Sequence, residues 1–168
     1  DRDRASLCDH LKQVLAQQAG ANAPGNLYHC VLSTCLLSQL IDSAVLVLGA
    51  ETPQLPELIQ AIRHQHLLYL INSLTPGGRG ILVFDFLSNQ TLPDLMQIPE
   101  MELPKSLEQA IASRNFFSGL NPFVIHQLLQ SESAFRSRID NVRLTPPWRW
   151  SLCSKQFAVA AVTFKRLD

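Results

Sequence analysis

Leu67, Leu68, Leu70, Ile71 and Leu74 recur at helical spacing, and after Pro76-Gly77-Gly78 the run Ile81 to Phe84 follows without polar alternation. The first pattern predicts a helix with one apolar side. Pro76 cannot continue that helix, and Gly77 can take the left-handed conformation that closes helix ends. The unbroken apolar run predicts a strand covered by helices on both faces, as in a parallel sheet. Asp85 falls where that strand is expected to emerge. Open parallel sheets bind their ligands at such carboxyl ends.

The same reading extends along the chain. Leu7, Leu11, Val14 and Leu15 predict an amphipathic helix over 6–18, with Ser6 as its cap and Asp9 suited to its first turn. Residues 19–26 are a loop by composition. Leu27 to Leu32 predicts a strand that Ser33 and Thr34 close, and both are placed to cap the next helix. Residues 35–48 fit a helix through Leu36, Leu37, Leu40, Ile41 and Val45, although the tail Ala44 to Leu48 also fits a buried strand. Gly49 favours the helix, because Ile41-Asp42-Ser43 makes a poor hairpin turn.

Pro56 opens a further helix, with Glu57 in its first turn, and that helix runs to about Leu74. Residues 87–105 carry Pro93, Pro99 and Pro104, and a connection of that length is more often a lid or substrate loop than filler. Pro104 starts a helix with Leu107, Ala110 and Ile111 inward. Asn121-Pro122 reads as a cap and first helical residue, with Val124, Ile125, Leu128 and Leu129 as the core side. Residues 142–153 and 156–165 predict two strands joined at Ser154-Lys155. The second, apolar on both faces, belongs inside the sheet. The expected fold is a single α/β domain over 1–168, with a mostly parallel sheet, flanking helices and a C-terminal antiparallel hairpin.

Composition narrows the function classes. At 168 residues, 46% hydrophobic and 17% charged, the chain is of globular type and long enough to bury a core. Its 14 basic and 14 acidic residues cancel, so no global field draws it to nucleic acid or an anionic membrane. No apolar run approaches a membrane span. Cys8, Cys30, Cys35 and Cys153 form no Cys-x-x-Cys pair and read as four buried, reduced thiols of a cytoplasmic protein. The chain opens on Asp1 rather than Met, which leaves room for an upstream segment.

Candidate chemistry is sparse. His64 and His66 are two apart on a helix and point to different sides. His29, Cys30 and Cys35 lie on a strand that scatters them, so no metal site is expected. A hydrolase would need a nucleophile elbow of the form Gly-x-Ser-x-Gly, and none exists; Cys35 with distant His126 is the remaining pairing. Trp148 and Trp150 share one face of a strand, with Arg149 on the other. That pair either covers the hydrophobic end of the sheet or offers a partner or substrate surface.

Three segments together resemble the C-terminal half of class I S-adenosylmethionine-dependent methyltransferases. Residues 28–40, YHCVLSTCLLSQL, are similar to the family's fourth strand and the Leu-rich helix after it. Residues 70–85, LINSLTPGGRGILVFD, resemble its helix, Pro-Gly-Gly turn and fifth strand. Residues 142–166 resemble its closing sixth and seventh strands, the last running antiparallel. The resemblance implies S-adenosylmethionine as cofactor, with Ser33, Thr34 and Cys35 lining the cofactor crevice. It places Asp85 and Phe86 on the substrate side, and Trp148 and Trp150 are further substrate-contact candidates.

The family's Gly-x-Gly cofactor turn has no counterpart here. Gly78-Arg79-Gly80 has the spacing but leads into a strand, and His29 stands where the family usually has an acidic residue. On this alignment the first three strands are missing, so the chain is expected to be the C-terminal part of a larger domain and to hold the cofactor weakly alone. The alternative is a non-catalytic interaction or oligomerisation module, whose exposed strand 27–32 pairs with a partner or a second copy.

Overall fold

A computed structural model describes residues 2–18 and 25–168. Its elements, in order, are α1 (Arg2–Gln18), β1 (Tyr28–Thr34), α2 (Leu36–Leu48), α3 (Leu55–Asn72) and β2 (Leu74–Ser88). They continue with α4 (Leu103–Ala112), α5 (Pro122–Ser131), α6 (Ser133–Arg136), β3 (Ile139–Leu144), β4 (Trp148–Leu152) and β5 (Lys155–Arg166). The expected loop at 19–26 lies mostly outside the described residues.

The five strands form one mixed sheet in the order β1-β2-β5-β3, with β4 also paired to β5. Only β1 and β2 pair in parallel; β5 runs antiparallel to β2, β3 and β4. The expectation of a mostly parallel sheet is therefore corrected. β5 lies inside the sheet as expected, between β2 and the β3–β4 edge, but each pairing it makes is antiparallel. An apolar run on both faces signals an interior strand in either kind of sheet, so it carries no direction.

One face of the sheet supports the main core. Leu82 and Phe84 of β2, with Ala158, Ala160, Val162 and Phe164 of β5, pack against Leu37, Ile41, Leu67 and Ile71 from the helices. The opposite face carries a smaller cluster of Cys35, Val83, Val159 and Ala161, flanked by Ile81, Trp150 and Phe157. A bulge between Asp85 and Leu87 breaks the alternation, so Phe86 and Leu87 both enter the main core.

Local chemistry explains the boundaries. α2 forms as a helix, and Gly49 ends it at φ 85 with its N–H on the Val45 carbonyl. Asn121 caps α5 through Oδ1, which accepts from the N–H groups of Phe123 and Val124. Ile125 and Leu129 are buried as expected, whereas Val124 is exposed.

Other expectations shift. α1 starts at Arg2, so Ser6 lies inside it rather than capping it. α2 is preceded by Cys35, with no side-chain cap from Ser33 or Thr34. α3 ends at Asn72, and β2 begins at once at Leu74. The Pro-Gly-Gly segment is a bulge between the Tyr28–Leu74 and Cys30–Arg79 pairings, and Gly77 takes its φ of 73 there rather than at a helix end.

The hairpin also differs in detail. Its first arm is interrupted at 145–147, where Pro146 and Pro147 offer no N–H to the ladder. Thr145 bridges the gap: its N–H donates to the Ala161 carbonyl, and its Oγ1 accepts from the Ala161 N–H at 2.9 Å. The turn is Cys153-Ser154, with Cys153 at φ 54. All four cysteines are free, but only Cys8 and Cys35 are buried; Cys30 and Cys153 are exposed, which corrects the reading of four buried thiols. None of the described helices is long and apolar enough to cross a membrane.

Candidate functional site

Where β1 turns into α2, the chain passes through Cys35 in the left-handed conformation, φ 53 and ψ 12. The Cys35 N–H donates to the Val83 carbonyl at 2.8 Å, so this sharp strand-to-helix turn is tied to β2. A non-glycine residue in this region of φ is uncommon and marks a site worth reading closely. The turn opens onto a cavity of about 500 Å³ on the side of the smaller cluster. That volume lies within the usual range of small-molecule sites.

Four parts of the chain build the walls. The β1–α2 turn and α2 supply Cys35 and Ser38, and β2 supplies Asp85 and Ser88. The link between α4 and α5 contributes Phe116 and Phe117, and the hairpin contributes Trp150 and Phe157. Asp42 and Lys155 lie at the exposed rim. The aromatic link is held down by the Phe117 N–H, which donates to the Phe86 carbonyl at 2.8 Å. Gly119 lets the same link close on α3: its φ is 76, and a Cβ there would stand 2.2 Å from Ile59 Cγ2.

Polar groups converge at the cavity floor. The Ser38 hydroxyl donates to the Asp85 main-chain carbonyl at 3.2 Å. Asp85 Oδ1 is buried and meets no hydrogen-bond donor among the described residues. Burial, and next the Asp85 charge, push the Cys35 thiol up to about 12. Cys35 therefore stays a protonated thiol near neutral pH, the opposite of an activated nucleophile. No histidine lines the cavity. His126 instead faces the Val142 carbonyl at 3.5 Å, so the Cys35–His126 pairing does not form.

The sequence candidates divide accordingly. Cys35, Asp85 and Trp150 come together in the cavity. Ser33 points to the other side of the sheet, where its buried Oγ lies 2.8 Å from His66 Nε2. Thr34 is exposed and pairs with Val83, outside the lining. Phe86 is in the main core and acts on the site only through its carbonyl. Trp148 is half-exposed on the same hairpin arm and does not reach the cavity. Asp85 is not at the strand exit but inside β2, re-aimed by the bulge that comes after it.

Residues 89–102 are fastened down. The Arg149 guanidinium donates from Nη1 to the carbonyls of Leu95, Met96 and Ile98, and Leu95 is fully buried. Phe116 and Phe117 are the wall residues that sequence reasoning passed over. Their signal was an aromatic doublet in a glycine-containing link between helices, where no periodicity explains it. Comparison with protein-family models, with curated proteins and with solved structures finds no match to this chain.

Proposed function

We propose that this chain is the C-terminal half of an S-adenosylmethionine-dependent methyltransferase-like domain, and that its cavity forms the acceptor side of the active site. The observation that carries this reading is the strand arrangement. β1 and β2 are parallel neighbours joined through helices, and the final strand β5 runs against β2. That arrangement suits the roles the resemblance assigns to the family's fourth, fifth and last strands. A carboxylate, a thiol and four aromatic rings at the end of β1 supply an acceptor wall.

The residues present fit the cofactor itself poorly. There is no glycine turn, Ser33 is committed to His66, and of the three crevice candidates only Cys35 lines the cavity. In such enzymes the sulfonium is intrinsically reactive, and the protein's part is alignment of the acceptor. This chain's share of that work is to orient an acceptor at Asp85 and to exclude water with Phe117, Trp150 and Phe157.

Titration with S-adenosylhomocysteine, monitored by calorimetry and by amide chemical shifts, tests the reading. The expected result is binding weaker than about 100 μM, roughly −5.5 kcal/mol, with shifts concentrated at residues 34–38. A spectrum unchanged at millimolar ligand would sink the cofactor part of the proposal.

A second reading, a non-catalytic pairing module, is favoured by one specific observation. Among the described residues β1 pairs on one side only, with Tyr28 and Leu32 more than half exposed, and α2 beside it exposes Leu46 and Val47. An open edge of this kind is a template for another strand. Sedimentation analysis of the chain should then show a concentration-dependent oligomer, and a clean monomer would count heavily against it.

A further inference from the structure

We infer that the cavity beside Cys35 takes an organic amine, with the ammonium at the Asp85 carboxylate and the apolar body against Phe117, Trp150 and Phe157. This inference deepens the acceptor reading above by giving the acceptor a chemical class. Its first support is the Asp85 carboxylate, which lines the cavity while its inner oxygen Oδ1 meets no donor among the described residues. A half-buried carboxylate so short of donors is costly, and a charge-assisted N–H···O bond to it is the strongest remedy available.

The neighbouring groups do not provide that remedy. Ser38 spends its hydroxyl on the Asp85 main-chain carbonyl, and the Cys35 thiol, which faces the Asp85 side chain, is a weak and uncharged donor. Lys155 is exposed at the mouth, and no salt bridge joins it to Asp85 or Asp42 among the described residues. The Asp85–Leu87 bulge is the second support. It breaks the ladder where the carboxylate faces the cavity, a placement common beside binding sites.

The third support is the wall itself. Aromatic faces attract cations, so rings and carboxylate select the same guest charge. An anionic guest would meet Asp42 and Asp85 against the single Lys155. A neutral apolar guest would fill the space and leave the Asp85 carboxylate without a cation.

The test uses the chain as it stands and three probes on one phenylpropyl frame: 3-phenylpropan-1-amine, 3-phenylpropionate and 3-phenylpropan-1-ol. Binding is monitored by tryptophan fluorescence, to which only Trp148 and Trp150 contribute, and by the Asp85 amide shift. The amine is expected to bind at least about tenfold tighter than the acid or the alcohol. Asp85→Asn should erase that preference, and Asp42→Asn should keep it.

Equal binding of amine and alcohol would overturn the amine assignment and leave an apolar pocket. Tighter binding of the acid would overturn it in favour of Lys155. Loss of the preference in Asp42→Asn alone would remove Asp85 from its role, and no binding by any probe would remove the site. The probe comparison on the unsubstituted protein needs no variant to fold. Failure with S-adenosylhomocysteine alone, with the amine preference intact, would instead count against the methyltransferase reading.

Discussion

Phe84→Ala is expected to cost roughly 3–5 kcal/mol of stability, the range for truncating a fully buried aromatic ring. Phe84 has no exposed surface and lies in β2 between parallel β1 and antiparallel β5. Its cross-strand partner is Ala160, and its face belongs to the core that takes in Leu37, Ile41, Leu67 and Ile71. The small partner means that the ring itself fills much of the space between sheet and helices. Removing it leaves a cavity that Ala160 cannot close. Domain stability is commonly about 5–15 kcal/mol, so the variant would fall near the unfolding threshold.

Urea unfolding reads this as a lower midpoint at unchanged slope. Val83→Ala, one residue along on the other face, should lose less, because its cluster is smaller and borders the open cavity. A loss below about 1 kcal/mol for Phe84→Ala would contradict the packing that orders the two faces.

Much of this architecture was legible in the sequence, and the reasons differ from element to element. Gly49 and Asn121-Pro122 marked helix boundaries because each acts through its own backbone or side chain within one turn. β5 was legible as an interior strand because Ala158 to Val162 are apolar on both faces. Its antiparallel direction came only from the resemblance, whose last strand runs against the others, since burial is indifferent to strand direction. Ser33 was misjudged for a geometric reason. β1 runs to Thr34 instead of ending at Leu32, so Ser33 stays in the ladder and its side chain tracks the pleat toward His66.

Cys35 drew attention in the sequence as the residue where strand gives way to helix, and Asp85 as a strand exit, yet Asp85 lies inside β2 and lines the cavity beside a bulge that no residue pattern announced. Phe116 and Phe117 reach the cavity through tertiary ties of their link, the Phe117 N–H to the Phe86 carbonyl and Gly119 against α3. No spacing in the sequence announces such a contact. The Pro-Gly-Gly segment shows the same limit: its residues announced a change of direction, and pairing with β1 decided that the change would be a bulge.

The Ser33–His66 pair gives the fold a pH dependence that the sequence did not suggest. His66 is on α3, buried against β1, and burial lowers its pKa to about 4 from the ordinary 6.5. The folded protein therefore keeps His66 neutral over a range in which the unfolded chain protonates it. The stability this contributes is fully present above about pH 7, where neither state carries the proton. It is lost as pH falls from 6.5 toward 4, and below that both states are protonated and the loss levels off. The total is about 3 kcal/mol, with a slope approaching 1.4 kcal/mol per pH unit.

His66→Gln keeps an amide for Ser33 and does not titrate. Urea unfolding of both proteins between about pH 7.5 and pH 4 isolates the histidine, because the carboxylates contribute alike to each. The stability difference between the two should shift by about 3 kcal/mol against the unsubstituted protein across that window. A difference independent of pH would mean that His66 is hydrated in the native state. The packing of α3 on β1 would then be looser than the Ser33 contact requires.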